Sequence, residues 1–469
     1  MTDHTISPEQ AGLPPLQGLP VLVYSLGIEG RDLAHWLVSH GARVTISDTR
    51  TPEELAAAGA SPPEGVERTI VGQPLLDPAG FRLVAVSQSI LRYNPALARA
   101  RALGIPITSQ MRLFLQLCPG RTIGITGSSG KTTTTALVGA IAREARVEHL
   151  LGGNIGEPLL ARLQNIRPTT DVILEISHTQ LQYTDRSPHI AAVTNVTPNH
   201  LDQFSWDEYV GLKRNHIAHQ SRNDITVLNQ DNPVTRTFMA SVRGRLVATS
   251  IESTLTTDGA YLEDGEIVIR RGARVTPVLP ISDVRLRGRH NLANIVMAAA
   301  IAAQAGWPVT AIARAIRTFT GVPHRLELIG HTQGAAWVND SIATSPERTV
   351  AGLRAYDQPV ILLLGGRDKH LPLDTLQQAV HERCRAVICF GESGPLFHQA
   401  VAGHAEVTLL VRTLEDAVQA AHRLAHPGDV ILLSPAGTSF DQYPNFEARG
   451  AHFRQLVQSL PGFTQEVSP

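Results

Sequence analysis

The sequence predicts an α/β protein of three domains, on three observations. Short apolar strands alternate with helical stretches along most of the chain. That alternation restarts near residues 113 and 322. The 469 residues are long for one domain, at roughly 100 to 200 residues each. The expected domains are 1–112, a small Rossmann-like sheet; 113–321, a larger phosphate-loop ATPase-type α/β domain; and 322–469, a second Rossmann-like sheet.

Composition narrows the partners. Forty-one basic against 42 acidic residues leave a net charge of -1, so no whole-molecule field draws nucleic acid or an anionic membrane, and an anionic ligand must be held locally. Three cysteines, Cys118, Cys384 and Cys389, show no paired or metal-ligand spacing and fit a reducing compartment. The start Met1-Thr2-Asp3-His4 lacks a charged segment followed by an apolar one, and no apolar run approaches the ~20 residues of a bilayer span. The expectation is a soluble, cytoplasmic, monomeric protein with no nucleic-acid or membrane partner.

The elements follow in order. Pro20–Ser25 reads as a strand, Gly27–Gly30 as a turn, Arg31–His40 as a helix and Arg43–Ser47 as a second strand ending in Asp48, a βαβ opening that continues through Leu83–Val86. A second strand, loop and helix begin at Thr122, with strands at Val172–Leu174 and Ala191–Thr194. Residues Leu246–Leu286 read as short strands between Gly, Asp and Pro turns, a β-rich addition ahead of a helix over Asn291–Ala303. Past residue 322, buried-type strands at Val360–Leu364, Ala386–Cys389 and Val430–Leu433 alternate with helices at Leu373–Arg383 and Leu414–Ala425.

The strongest local signal is Gly124-Ile-Thr-Gly-Ser-Ser-Gly-Lys-Thr132, because it follows a strand and opens a helix. Gly127, Ser128, Ser129 and Gly130 can turn backbone N–H groups onto phosphate oxygens, the helix N-terminus adds its dipole, Lys131 brings a point charge, and Thr132 offers a hydroxyl to Mg2+. A plain Gly/Ser turn is the competing reading, and Lys131-Thr132-Thr133 directly after Gly130 argues against it. The usual G-x4-GK[ST] spacing is not met, since Gly124 is one residue early and Ile125 stands at the glycine position.

Glu175 and His200 each follow a strand, where open α/β sheets assemble sites. A carboxylate suits Mg2+, and the imidazole suits a second cation or a phosphate. Each taken alone is also an ordinary surface or satisfied polar residue. Lys213, within the helix-like stretch Glu208–Ala218, reads by pattern as a solvated lysine.

Eight ordered segments resemble the Mur ligases across nearly the whole chain: residues 124–133, Gly153–Gly156, Glu175–Ser177, Asn195–Asp202, Gly288–Asn294, Pro323–Arg325, Asn339–Ser341 and Gly365–Lys369. The run Leu433–Gln442, with Asn445–Glu447 and Arg449-Gly450, looks like the D-glutamate-adding branch of that family.

The resemblance implies an ATP- and Mg2+-dependent ligase acting on UDP-N-acetylmuramoyl-L-alanine and D-glutamate through an acyl phosphate. It implies a UDP-binding first domain, with Leu26 and the following turn on phosphate and Asp48, Thr49 and Arg50 near uracil. Lys131 and Thr132 would hold ATP phosphates and magnesium. Glu175 and His200 would be metal ligands, and Asn154 and Ser177 would lie near the muramoyl group. Asn291 and Asn294 would contact adenine, with Arg325 and Asp340 on ribose or phosphates. Lys213 matches the lysine carbamylated in the family, which helps hold the second magnesium. Thr344, Lys369, Ser439 and Phe446 would receive the glutamate.

The chain departs from the family pattern at Gln88-Ser89, Asn199, His178-Thr179 and Ile342, where Pro-Gly, Asp, Ser-Phe and Lys are usual. Other readings stand beside this one: a Mur-type ligase for L-glutamate or another amino acid, a folylpolyglutamate synthetase-like enzyme, a P-loop nucleotide regulator, or a dinucleotide oxidoreductase. Against the last, Ser25 stands where a first Rossmann glycine belongs.

Overall fold

A computed structural model describes residues 8–465 apart from residues 10, 11, 155–157, 202, 287 and 370. The start Met1–His4, Ile155 and Gly156 of one quoted segment, and Asp202 of another lie outside the described residues. The chain divides into two compact units, Met1–Phe319 and Thr320–Pro469.

The first unit holds two sheets. A five-stranded sheet, parallel throughout, runs in the order Arg68–Val71, Arg43–Asp48, Pro20–Tyr24, Leu83–Val86, Ile107–Ser109. The helix after its first strand spans Ile28–Ser39, so the expected four-residue turn is shorter: Gly27 is an extended N-cap, and the chain enters the helix at once. Ser25 has φ +78, a left-handed backbone that favours glycine.

The second sheet has nine strands, beginning His149–Gly153, Asp171–Glu175, Arg121–Thr126, Ile190–Val193, Ile225–Asn229 and Arg245–Ser250. Residues 259–280 extend this sheet by three strands, the last two joined as an antiparallel hairpin. The helix Arg289–Gln304 is buried from Asn294 to Ala303 and packs with Lys131–Glu144 in one hydrophobic core. Each large apolar side chain there contributes roughly 1.5–3 kcal/mol, which fixes the phosphate-loop helix against the sheet.

The second unit is a six-stranded sheet, ordered Glu327–Thr332, Ala335–Asn339, Val430–Ala436, Val360–Gly365, Cys384–Phe390, Val407–Leu410. All pairings are parallel except the first. Two clusters sandwich it, one around Trp337, Phe390 and Phe453, the other around Leu353, Leu376 and Phe397. Among the described residues no helix is long and apolar enough to cross a membrane.

Candidate active site

Four neighbouring parallel strands, Ile190–Val193, Arg121–Thr126, Asp171–Glu175 and His149–Gly153, end at one sheet edge. The loops beyond them carry the candidate residues, as expected of a parallel sheet. Arg121–Thr126 runs into Gly127–Gly130 and then the helix Lys131–Glu144. Gly124 and Ile125 lie within the strand, which explains the unusual spacing. A Cβ on Gly124 would come within 2.3 Å of Pro188 and 2.8 Å of the His216 ring, so this glycine serves packing and not phosphate.

The loop is braced from Asn195, whose carbonyl accepts from Ser128 N (2.9 Å) and whose Oδ1 accepts from Ser129 N (3.0 Å). Thr194 Oγ1 donates to the Ser129 carbonyl at 2.6 Å. Gly130 has φ +79, and a Cβ there would sit 2.1 Å from Asn294 Oδ1, so the adenine candidate Asn294 reaches the loop only because residue 130 has no side chain. Asn294 Nδ2 also meets Asn291 Oδ1 at 3.5 Å. Lys131 Nζ donates to the carbonyls of Gly127 (2.9 Å) and Ser128 (3.1 Å), which holds its charge over the loop. Thr132 and Thr133 follow in the first helical turn.

Glu175 is 1% exposed. Its Oε1 accepts from Asn154 Nδ2 at 2.8 Å, while Oε2 is buried with no hydrogen-bond partner. A buried unpartnered carboxylate oxygen costs free energy unless a donor or cation completes it.

The pattern reading of Lys213 as solvated is wrong: the side chain is 1% exposed, with Nζ donating to Thr126 Oγ1 at 3.2 Å. Burial and then the Lys131 charge push its ammonium well below the ordinary value, opposed by Glu175. Lys213 belongs to one face of the helix Trp206–Ala218. On that face Tyr209 OH meets Ser128 Oγ (3.0 Å), Lys213 meets Thr126, and His216 Nε2 donates to the Gly124 carbonyl (3.0 Å). The i, i+4, i+7 spacing lays three polar side chains along the strand and loop.

His200 takes φ +54, and its ring stacks on His178 with centroids 4.0 Å apart. His178 Nε2 is buried without a partner; burial, then His200, Lys213 and Lys131, lower its pKa to about 3, so it is neutral near pH 7.

At the edge of the five-stranded sheet, Asp48 Oδ2 accepts from Leu26 N (2.6 Å) and Arg50 Nη2 (2.7 Å), and Oδ1 from Arg50 N (2.9 Å). Burial alone would raise the Asp48 carboxyl, but these bonds hold it below its ordinary range. Thr49 between them is exposed. The two sheets meet through Ser177, whose Oγ donates to Gln88 Oε1 at 2.8 Å; Thr179 Oγ1 donates to the same oxygen at 3.0 Å. Two departures from the family pattern, Gln88 and Thr179, are thus hydrogen-bond partners.

In the second unit, the loops after Ala335–Asn339, Val360–Gly365 and Val430–Ala436 carry Asp340 and Thr344, Lys369, and Ser439, and Phe446 opens the helix Phe446–Gln458 that follows the last of them. Lys369 Nζ donates to Thr344 Oγ1 at 3.3 Å. Arg449, fully buried, ties the first and third loops by donating to Ser341 Oγ (3.0 Å), Ser341 O (2.9 Å) and Gly437 O (3.2 Å). Ser341 Oγ donates to the Phe446 carbonyl at 2.9 Å. Asp340 accepts from Ser434 Oγ (2.8 Å) and from the N–H of Leu326 (3.2 Å), beside Arg325; burial raises its pKa to about 7.

Sequence reasoning gave no role to Asn195, Thr126, Tyr209 or Arg449. Asn195 follows its strand just as His200 does, and that rule would have found it; Arg449 lies in a quoted segment, but nothing in its neighbours marks it as buried.

The described residues contain no group of three or more His, Cys, Asp or Glu placed to hold a metal. Mg2+ takes one or two carboxylates and completes its shell with water and phosphate oxygens. The unpartnered Glu175 Oε2 beside a phosphate loop meets that requirement.

Comparison with known proteins bears on this geometry. The Mur ligase middle domain model matches residues 125–302, and the Mur ligase, glutamate ligase domain model matches 324–437. A UDP-N-acetylmuramoylalanine–D-glutamate ligase of Symbiobacterium thermophilum is 40% identical over 443 residues, covering 93% of this chain and 97% of that protein. The enzyme of the same name from Acetivibrio thermocellus is 37% identical, covering 94% and 96%. Among solved structures, a UDP-N-acetylmuramate-alanine ligase from Thermotoga maritima matches with TM-score 0.52 at 18% identity, over 94% of this chain and 99% of that one, a likeness of fold.

Proposed function

The chain belongs to the Mur ligase family, and from that premise we propose that it joins D-glutamate to UDP-N-acetylmuramoyl-L-alanine, with ATP cleaved to ADP and phosphate, in peptidoglycan precursor synthesis for the cell wall. The observation that carries this reading is the grouping of the phosphate loop, the unpartnered Glu175 oxygen and the buried Lys213 at one sheet edge.

A carboxylate does not react with an amine at useful rates in water. The alanyl carboxylate oxygen therefore attacks the γ-phosphorus of ATP, ADP leaves, and an acyl phosphate forms. The glutamate amine then attacks the acyl carbon, loses its proton, and phosphate departs as the amide closes.

Lys131 and the N–H groups that open the helix Lys131–Glu144 hold the phosphates and stabilise charge on the transferring group. Gly127, Ser128, Ser129 and Gly130 shape the loop, the N–H groups of Ser128 and Ser129 being taken by Asn195. Glu175, Thr132, His200 and, once carbamylated, Lys213 would hold magnesium. An Mg2+ held there would supply charge neutralisation at the phosphoryl oxygens. Burial disfavours the charged form of Lys213, and the neutral amine is the form that adds CO2, so this environment supports carbamylation.

Asn154 and Ser177 position the muramoyl group. Leu26, Asp48, Thr49 and Arg50 receive the uridine diphosphate end, where the Asp48–Arg50 pair fixes the loop and leaves backbone groups for recognition. Asn291 and Asn294 face adenine, and Arg325 and Asp340 serve the ribose or phosphates. Thr344, Lys369, Ser439 and Phe446 take the glutamate, with Lys369 pairing its side-chain carboxylate. The proposed domains are 1–112 for the UDP substrate, 113–321 for ATP and 322–469 for glutamate. ATP use and three buried free cysteines support a cytoplasmic location.

Phosphate release from ATP, measured with UDP-N-acetylmuramoyl-L-alanine and D-glutamate, L-glutamate or neither, tests the reading. Release is expected only with D-glutamate. Release with neither would identify a nucleotide hydrolase, and release with L-glutamate alone would reassign the pocket's handedness.

A further inference from the structure

The turn after the strand Ala335–Asn339 gathers two cations. Its Ile342 carbonyl accepts from Thr344 N at 2.9 Å and from Arg348 Nη1 at 3.1 Å, the guanidinium reaching back from the first turn of the helix Pro346–Leu353. The Thr344 hydroxyl accepts from Lys369 Nζ at 3.3 Å. Ile342 itself brings no charge.

Among the described residues, neither Arg348 nor Lys369 forms an ion pair. Asp340 in this turn is buried and already accepts from Ser434 Oγ and Leu326 N, with the charges of Arg325 and Arg348 acting on it as well. Burial and then the Arg348 charge lower the Lys369 ammonium. An anion bound between them relieves that repulsion, and a carboxylate has two oxygens to share.

We propose that Arg348 is a second cation for the side-chain carboxylate of the incoming glutamate, acting with Lys369 across the Thr344 turn. The proposal rests on the glutamate-ligase reading above and names a specificity residue that the family resemblance did not.

The test compares wild type, Arg348→Gln and Arg348→Lys in the full-length enzyme, with D-glutamate and with D-glutamine, which keeps the shape and lacks the charge. Arg348→Gln is expected to raise KM for D-glutamate about 10- to 100-fold, the loss of one charge-assisted hydrogen bond. KM for ATP and for the nucleotide substrate should stay within about twofold, as should phosphate release supported by D-glutamine, and Arg348→Lys should recover part of the loss. An unchanged KM for D-glutamate overturns the proposal, as does equal damage to D-glutamine, which marks a structural role, or a rise confined to the KM for ATP, which marks a phosphate contact. Wild-type enzyme that releases no phosphate with D-glutamate overturns the ligase reading itself, a result separate from any effect of the variants.

Discussion

Lys213 shows how one side chain's environment sets its chemistry. Its amine is buried, hydrogen-bonded to Thr126 Oγ1, and faces the Lys131 charge, so the protonated form is disfavoured and the nucleophilic amine persists at pH values where an ordinary lysine is charged. With 13C-bicarbonate, the enzyme is expected to show a carbamate resonance that vanishes in Lys213→Ala, with turnover falling about 100-fold or more. A variant that keeps full activity would remove Lys213 from the mechanism. None of this burial is legible locally: Leu-Lys-Arg-Asn in a helix reads as a solvated face, and only the tertiary packing turns residue 213 inward. Lys131 is the opposite case, since Gly130, Lys131 and Thr132 declare their role through order alone.

At the scale of elements, the helix Trp206–Ala218 sets the phosphate loop. A capping box between Ser205 and Glu208 starts it, and Tyr209, Lys213 and His216 then brace Ser128, Thr126 and Gly124 in turn. Strand, loop and helix order were readable because apolar runs and glycines record them. The brace was not, because its contacting face is polar and leaves no apolar stripe. His216 gives a measurable consequence. Burial, together with Lys213, lowers its pKa from 6.5 to about 4 despite the bond to Gly124. Between those values the unfolded chain binds more protons than the folded one, so stability rises with pH and is lost on acidification. The loss should approach about 3 kcal/mol at pH 4, at 1.36 kcal/mol per unit. His216→Gln, which keeps a donor for Gly124, should shrink the fall in urea midpoint between pH 7 and pH 4; an unaltered fall would assign it to other groups.

At the scale of the molecule, the two sheets of the first unit share a core. Leu160, Ile166, Val172 and Leu174 pack in one cluster with Leu33, Leu37, Met111 and Phe114. Asp32 lies buried across the same seam, its carboxylate accepting from Gln110 Nε2 (2.5 Å), Leu160 N (2.8 Å) and Ala161 N (3.1 Å). Burial raises its carboxyl, and two of the three bonds that oppose this come from beyond residue 112. The alternation of strands and helices marks where a sheet begins, but it keeps no record of which helix faces share a core, so an expected domain at 1–112 and a self-sufficient one are different claims. A chain cut after residue 112 would expose that apolar seam and leave Asp32 short of two donors, a combined cost comparable with the roughly 5–15 kcal/mol that holds a domain folded. Residues 320–469 have both faces of their sheet covered by their own clusters. Produced separately, 1–319 and 320–469 are each expected to unfold cooperatively on heating, while 1–112 is expected to show no cooperative transition. A sharp transition in 1–112 would mean that the seam is a docking surface between finished domains and not a common core.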